Sequence, residues 1–123
     1  NHTYNHLKGW KSENKNYIKN IEACAALTGS RLFRPPYGRI KASQIGLIRK
    51  QFPETEIVMW DVLSGDFDES ISKEKCVQNV LGNTKNGSII VFHDSQKAFA
   101  RLEYALPVII ENLAKRGFEF KTL

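Results

Sequence analysis

Three histidines are the residues of this 123-residue chain best suited to chemistry. Two of them, His2 and His6, stand four apart in the opening segment Asn1-His2-Thr3-Tyr4-Asn5-His6. If that segment turns into a helix, the two imidazoles share one face and can hold a single metal ion. Imidazole suits zinc and other late first-row divalent ions. The spacing also excludes one chemistry: a zincin helix needs Glu directly after its first His as general base, and Thr3 stands there. The bland alternative is a pair of surface or capping histidines. The third histidine, His93, follows an apolar run and precedes Asp94.

Elements must position these groups, and the hydrophobic spacing predicts which. Ser12 can cap a helix over residues 13–28, in which Tyr17, Ile18, Ile21 and Ala25 recur at helical spacing and Gly29 is a natural stop. Leu32-Phe33 is a short apolar piece that runs into Arg34-Pro35-Pro36-Tyr37-Gly38, where two prolines forbid a helix. A second helix covers Ala42 to Gln51, with Ile45, Leu47 and Ile48 inward. Glu56 to Trp60 reads as a buried strand, Asp61 to Glu69 as an acidic loop, and Ser72 as the cap of a helix through Leu81. Ser88 to Phe92 is the clearest strand, bounded by Gly87 and by His93-Asp94. A last helix starts at Ala98 or Arg101, breaks or kinks near Pro107 and ends at Gly117, before a closing strand, Phe118 to Lys121. Helices alternating with strands over short connections argue for an α/β fold of parallel βαβ units. The unbroken apolar run at Ile89 fits burial on both faces of a sheet.

The chain amounts to one domain at most, large enough for a real core. Its composition, 41% hydrophobic and 25% charged, is that of a soluble globular protein. The net charge of +5 could favour an anionic partner, but no run of five basic residues exists, so a nucleic-acid partner is not expected. No apolar stretch approaches a membrane span. Cys24 and Cys76 fall on apolar sides of helices and read as buried free thiols. The polar residues that look deliberate all follow strands: Arg34, then Asp61 and Asp66, then His93 and Asp94. Strand C-terminal ends form the face on which barrels and open parallel sheets build sites.

Taken in order, His2-Thr3-x-x-His6, Arg34-x-Pro36-Tyr37, Asp66 and Val91-x-His93 resemble the later motifs of the polysaccharide deacetylase (NodB-homology) family. The resemblance runs from the first residues to about Asp94. It implies a distorted (β/α) barrel, incomplete in this chain, with residues 1–123 forming the C-terminal portion of the catalytic domain. It implies metal-dependent removal of N-acetyl groups from N-acetylglucosamine polymers. His2 and His6 would be metal ligands, for zinc first, with cobalt, nickel or manganese as alternatives. Arg34 would hold the catalytic-base aspartate, and the Tyr37 backbone N–H would help stabilise the oxyanion. His93 would protonate the leaving amine, oriented by Asp66. Val91 and Phe67 would line the pocket for the acetyl methyl, with Pro36 and Trp60 also at substrate-binding positions.

Phe67 stands where the family usually has Trp and Val91 where it often has Leu; both keep a pocket apolar. The larger departure is that no adjacent Asp-Asp pair exists in the chain, although the family's first motif supplies base and third metal ligand from one. The expectation is therefore the later part of a longer protein, weakly active or inactive alone; only robust turnover by the chain alone would require a substitute carboxylate, Asp94 or Asp61, as base. Missing strands should expose an edge, so self-association or completion by an N-terminal segment is expected. The substrate class points outside the cytoplasm or to the cell envelope. Two other readings stay open: a non-catalytic carbohydrate-binding module, and a hydrolase of a small linear or cyclic amide on the same fold. The polymer would be peptidoglycan, a chitin-like chain, an exopolysaccharide or xylan.

Overall fold

The computed structural model describes all 123 residues, and they divide into two compact units, Asn1–Met59 and Trp60–Leu123. Each unit is built on one parallel pair of short strands with helices packed beside it. Neither pair closes into a barrel.

In the first unit, helix α1 (Asn14–Thr28) leads to strand β1 (Leu32–Phe33), and helix α2 (Ala42–Gln51) leads to strand β2 (Glu56–Ile57). The strands pair in parallel, Leu32 opposite Glu56 and Phe33 opposite Ile57. The Val58 N–H extends the ladder to the Phe33 carbonyl at 2.8 Å. The core is Tyr17, Ile18 and Ile21 from α1, Phe33 from β1 and Ile48 from α2, all buried. Gly29, at φ 62°, ends α1 in the left-handed conformation that glycine adopts without a Cβ penalty. Ser12 is not the cap; Glu13 holds that place. The Ser12 hydroxyl instead donates to the Lys8 carbonyl at 2.9 Å, across a 3-10 turn of Gly9–Lys11.

The strand expected over residues 56–60 is regular only at Glu56 and Ile57, and Met59 is 40% exposed. With one neighbouring strand, the pair has nothing to extend the ladder further.

In the second unit, strand β3 (Val62–Leu63) precedes helix α3 (Lys73–Leu81), strand β4 (Ile90–Val91) and helix α4 (Gln96–Lys115). The strands are parallel, Val62 opposite Ile90 and Leu63 opposite Val91. β3 thus falls in the segment read as an acidic loop. The Ser72 hydroxyl does cap α3, accepting from the Lys75 N–H at 3.1 Å. Cys76 and Val80 from α3 pack with Ala105, Ile109 and Leu113 from α4 and with Val62. Cys76 is a buried free thiol and Cys24 a half-buried one.

Two expectations for α4 fail. The helix starts earlier, at Gln96, because Ser95 caps it by accepting from the Ala98 N–H at 3.3 Å. It also runs through Pro107 without the break expected there; Pro107 sits on the exposed side, where solvent can serve the carbonyl the ring leaves unpaired. The closing strand does not form either. Gly117, at φ 87°, donates to the Ala114 carbonyl and Phe118 to that of Leu113, so both residues are used to end α4. Phe118 packs on the core while residues 119–123 stay exposed. The Ser88–Phe92 run also differs from expectation: Val91 is buried, but Ile89, Ile90 and Phe92 are only half-buried, as follows when one partner strand rather than two flanks it.

Candidate active site

The opening segment is not a helix, so His2 and His6 do not meet by the i, i+4 rule. Hydrogen bonds fold it back on the first unit instead. The Asn1 nitrogen donates to the Leu32 carbonyl at 2.8 Å, and the Arg34 N–H donates to the Asn1 carbonyl at 2.9 Å, so Asn1 lies along β1. The Tyr4 N–H reaches the Asn20 carbonyl of α1 at 3.1 Å, and the Thr3 hydroxyl accepts from the Leu7 N–H at 3.0 Å. Thr3 and His6 take left-handed backbone angles, φ 60° and 52°. These angles cost energy in residues with a Cβ and are found where surrounding contacts enforce them. The result places the two imidazole centroids 4.9 Å apart.

His2 Nδ1 lies 2.6 Å from the Arg34 carbonyl. A carbonyl can only accept, so Nδ1 carries the proton and Nε2 keeps its lone pair. Metal-ligating histidines are commonly oriented in this way by a main-chain oxygen. Burial lowers the His2 pKa from its usual value, against the raising effect of the Arg34 bond, and the charges of His6 and Arg34 lower it further. Donor type therefore fits a divalent ion. Donor number does not: no group of three His, Cys, Asp or Glu residues is gathered anywhere in the chain, and two imidazoles fall one short of the usual three protein ligands.

The Arg34-to-Gly38 segment stands next to the pair. Pro35 and Pro36 are buried, and Pro36 opens a 3-10 turn closed by the Gly38 N–H on the Pro35 carbonyl at 3.1 Å. Tyr37 is left-handed at φ 59°, half-exposed, and its ring meets His6 edge-on at 4.8 Å. Arg34 Nε approaches the Val58 carbonyl at 3.4 Å. The first unit contains no aspartate for Arg34 to hold.

The second unit carries its own constellation at the ends of β3 and β4. The Asp66 carboxylate is fully buried and spends both oxygens on His93. Oδ1 lies 2.7 Å from His93 Nδ1, and Oδ2 accepts the His93 main-chain N–H at 2.7 Å. The Ser64 hydroxyl also donates to Oδ1, at 3.1 Å. Phe67 is 38% exposed and its ring meets His93 edge-on at 4.8 Å. Val91 is buried in β4, whereas Trp60 is half-buried and lies outside the strands. Asp61 is already engaged: its oxygens accept from the Ser88 hydroxyl at 2.8 Å and the Ile89 N–H at 2.7 Å. The Ser88 bond, then the Ile89 one, lower its pKa, the opposite of what a general base at neutral pH requires. Asp94 is exposed.

Two contributors escaped the sequence reading. Arg101 of α4 donates through Nε to the Asp66 carbonyl at 2.7 Å and through Nη2 to the Lys97 carbonyl at 2.6 Å, tying the Asp66 loop to the helix. Ser64, fully buried, braces the same carboxylate. An arginine in the first turns of a helix has no spacing signal that points at a loop 35 residues earlier.

No protein-family model matches the chain. Among curated proteins it is similar to a peptidoglycan-N-acetylglucosamine deacetylase of Bacillus cereus, 34% identical over 130 aligned positions that cover all of this chain and 46% of that protein. It is also similar to a bifunctional xylanase/deacetylase of Pseudobutyrivibrio xylanivorans, 32% identical over 93 positions, 76% of this chain and 14% of that one. Among solved structures, the Bc1960 peptidoglycan N-acetylglucosamine deacetylase superposes with TM-score 0.84 at 34% identity, covering 100% of this chain and 59% of that one. The Xyl-CE4 domain of a multidomain xylanase from the hindgut metagenome of Trinervitermes trinervoides does so with TM-score 0.84 at 30% identity, covering 99% and 59%. The chain spans about half the length of the Bacillus cereus protein it matches at 34% identity. With its α/β architecture and its similarity over the whole chain to these deacetylases, the chain is an incomplete, C-terminal part of the polysaccharide deacetylase fold.

Proposed function

We propose that the chain carries the metal-histidine and proton-donor parts of a metal-dependent deacetylase acting on N-acetylglucosamine units of an envelope polysaccharide. The observation that carries this reading is the Asp66–His93 pair. Amide hydrolysis adds water to the acetyl carbonyl, then breaks the C–N bond, and the departing amine must take up a proton. With Nδ1 held by the buried carboxylate, His93 presents Nε2 as the nitrogen that delivers that proton, and the half-exposed ring is reachable. The second bond, from the His93 N–H to Oδ2, fixes the main chain as well as the ring. In the first unit His2 and His6 would hold the ion, which when bound supplies Lewis acidity at the carbonyl and an activated water. In the same unit the Tyr37 N–H would serve the oxyanion and Pro36 the substrate; in the second unit Phe67, Val91 and Trp60 would be the substrate-binding residues. The relatives' names, peptidoglycan deacetylases and a xylanase/deacetylase, support a polysaccharide substrate and a site of action at the envelope.

No aspartate pair supplies the base, so activity should be low. Acetate release from an N-acetylglucosamine oligomer with added divalent ion is expected about 10²–10⁴-fold below that of a deacetylase with a positioned base. Chelation and His93→Gln should each abolish it. Release at full rate would mean that a carboxylate of this chain acts as base, and release unaffected by His93→Gln would remove His93 from the mechanism. No detectable acetate with any divalent ion would sink the deacetylase reading.

A further inference from the structure

All the excess positive charge lies in the first unit: residues 1–59 hold ten Lys and Arg against four Glu and no Asp. Two of these cations sit over aromatic rings beside the histidine pair. Lys8 Nζ lies 5.4 Å from the Tyr37 ring centroid, and the Arg39 guanidinium carbon 5.4 Å from that of Trp10. The two rings meet edge-on at 5.4 Å, and Tyr37 also touches His6. Neither Lys8 nor Arg39 is in an ion pair.

The platform is fixed from below. The Gly9 carbonyl, next to Trp10, accepts from Gln44 Nε2 at 2.9 Å, and Gln44 is fully buried. A Cβ at Gly9 would meet Gln44 Oε1 and the Tyr17 ring at 3.0 Å, so the turn sits tight on the core. The three non-glycine residues of the chain with positive φ, Thr3, His6 and Tyr37, all belong to this corner. Strain of this kind persists where surrounding structure holds a surface in one shape.

We infer that Trp10, Tyr37, Lys8 and Arg39 form a saccharide subsite that selects a carboxylate-bearing sugar next to the unit held at the histidine pair. The aromatic groups offer apolar area to the C–H faces of a pyranose, and the two cations offer charge-assisted hydrogen bonds to its carboxylate. The inference rests on the deacetylase reading for the neighbouring unit and names what lies beside it. Two sugars supply this chemistry: one bearing a lactyl ether carboxylate, as in peptidoglycan, and a uronic acid, as on xylan.

Calorimetry on the 123-residue protein at low salt tests it with four oligomers: neutral N-acetylglucosamine tetramer, an alternating N-acetylglucosamine and N-acetylmuramic acid tetramer, a glucuronic-acid-bearing xylotetraose, and single-stranded oligothymidine. At least one acidic saccharide should bind about tenfold more tightly than the neutral tetramer, equivalent to about 1.4 kcal/mol. The one that does so identifies the source. Lys8→Gln with Arg39→Gln should erase that advantage, so that the variant binds acidic and neutral tetramers equally; both residues are exposed, so the fold should persist. Equal affinity for acidic and neutral oligomers, an advantage that survives the double variant, or oligothymidine binding as tight as the acidic saccharide would overturn the subsite. Acetate release from the neutral tetramer is scored separately. Release without charge preference overturns the subsite alone, and charge preference without release overturns the deacetylase reading.

Discussion

Asp66 and His93 are joined twice, ring to carboxylate and main chain to carboxylate, each at 2.7 Å, with the carboxylate fully buried. One residue thus sets both where its partner's backbone runs and which ring nitrogen carries the proton. Asp66→Asn keeps the shape but can turn an amide N–H toward His93 Nδ1, which favours the other tautomer. Long-range 1H–15N spectra of His93 should show protonation moving from Nδ1 to Nε2. The lost acceptor should also cost about 1–3 kcal/mol in urea unfolding. An unchanged tautomer would show that something other than Asp66 sets the ring.

Arg101 acts on the same pair at one remove, through the Asp66 carbonyl. Arg101→Ala is expected to raise amide exchange at residues 65–67 while α3 and the C-terminal turns of α4 stay protected. Global stability should fall by about 1 kcal/mol, since the side chain is only half-buried. Arg101→Lys restores a charge but not the two-carbonyl fork, so protection should return only in part. Exchange rising evenly across the unit would reduce Arg101 to a general stabiliser.

Much of this was legible in residue types. The spacing of Tyr17, Ile18 and Ile21 located α1, Ala42 and Gln51 bounded α2, and Ser72 marked the start of α3 because a hydroxyl cap has a local signature. The misses share a cause. Strand length depends on how many neighbours pair, which no local pattern states, so residues 56–60 and 118–121 looked more regular than they are. His2 and His6 do approach one another, but through left-handed residues and bonds to β1 and α1, contacts that a four-residue spacing does not encode. Arg101 and Ser64 act on a carboxylate distant or unmarked in sequence, and only packing brings them to it.

Tyr17 holds an unused opportunity. Its ring is fully buried and its hydroxyl has no hydrogen-bond partner, and burial pushes its pKa up to about 12. A buried hydroxyl without a partner costs about 1–3 kcal/mol. Tyr17→Phe should therefore stabilise the first unit, with a higher urea midpoint at unchanged slope. Loss of stability would mean that the hydroxyl is satisfied in solution.

His2 sets a pH dependence whose sign follows from its lowered pKa. The unfolded chain takes up the proton more readily than the folded one. Stability from this group is thus complete above the ordinary histidine range and is lost as pH falls through about 6.5 toward the lower folded value. Gln in place of His2 can keep a donor for the Arg34 carbonyl but cannot titrate. Urea midpoints of wild type should fall between about pH 7.5 and 5.5, with a shallower fall in His2→Gln. Equal slopes would assign the acid sensitivity elsewhere.

The second unit exposes the ingredients of association. β3 and β4 have only each other as partners, Leu63 and Phe67 are each 38% exposed, and Phe99 is 57% exposed on the first turn of α4. An unpaired strand edge beside apolar side chains is a template for another chain. Light scattering should accordingly show mass rising with protein concentration. Leu63→Lys, which places a charge on β3 at an already exposed position, should suppress that rise without lowering the urea midpoint by more than about 0.5 kcal/mol equivalent. A constant monomer mass across the accessible concentration range would show that twist, or the brevity of the two strands, already protects the edge.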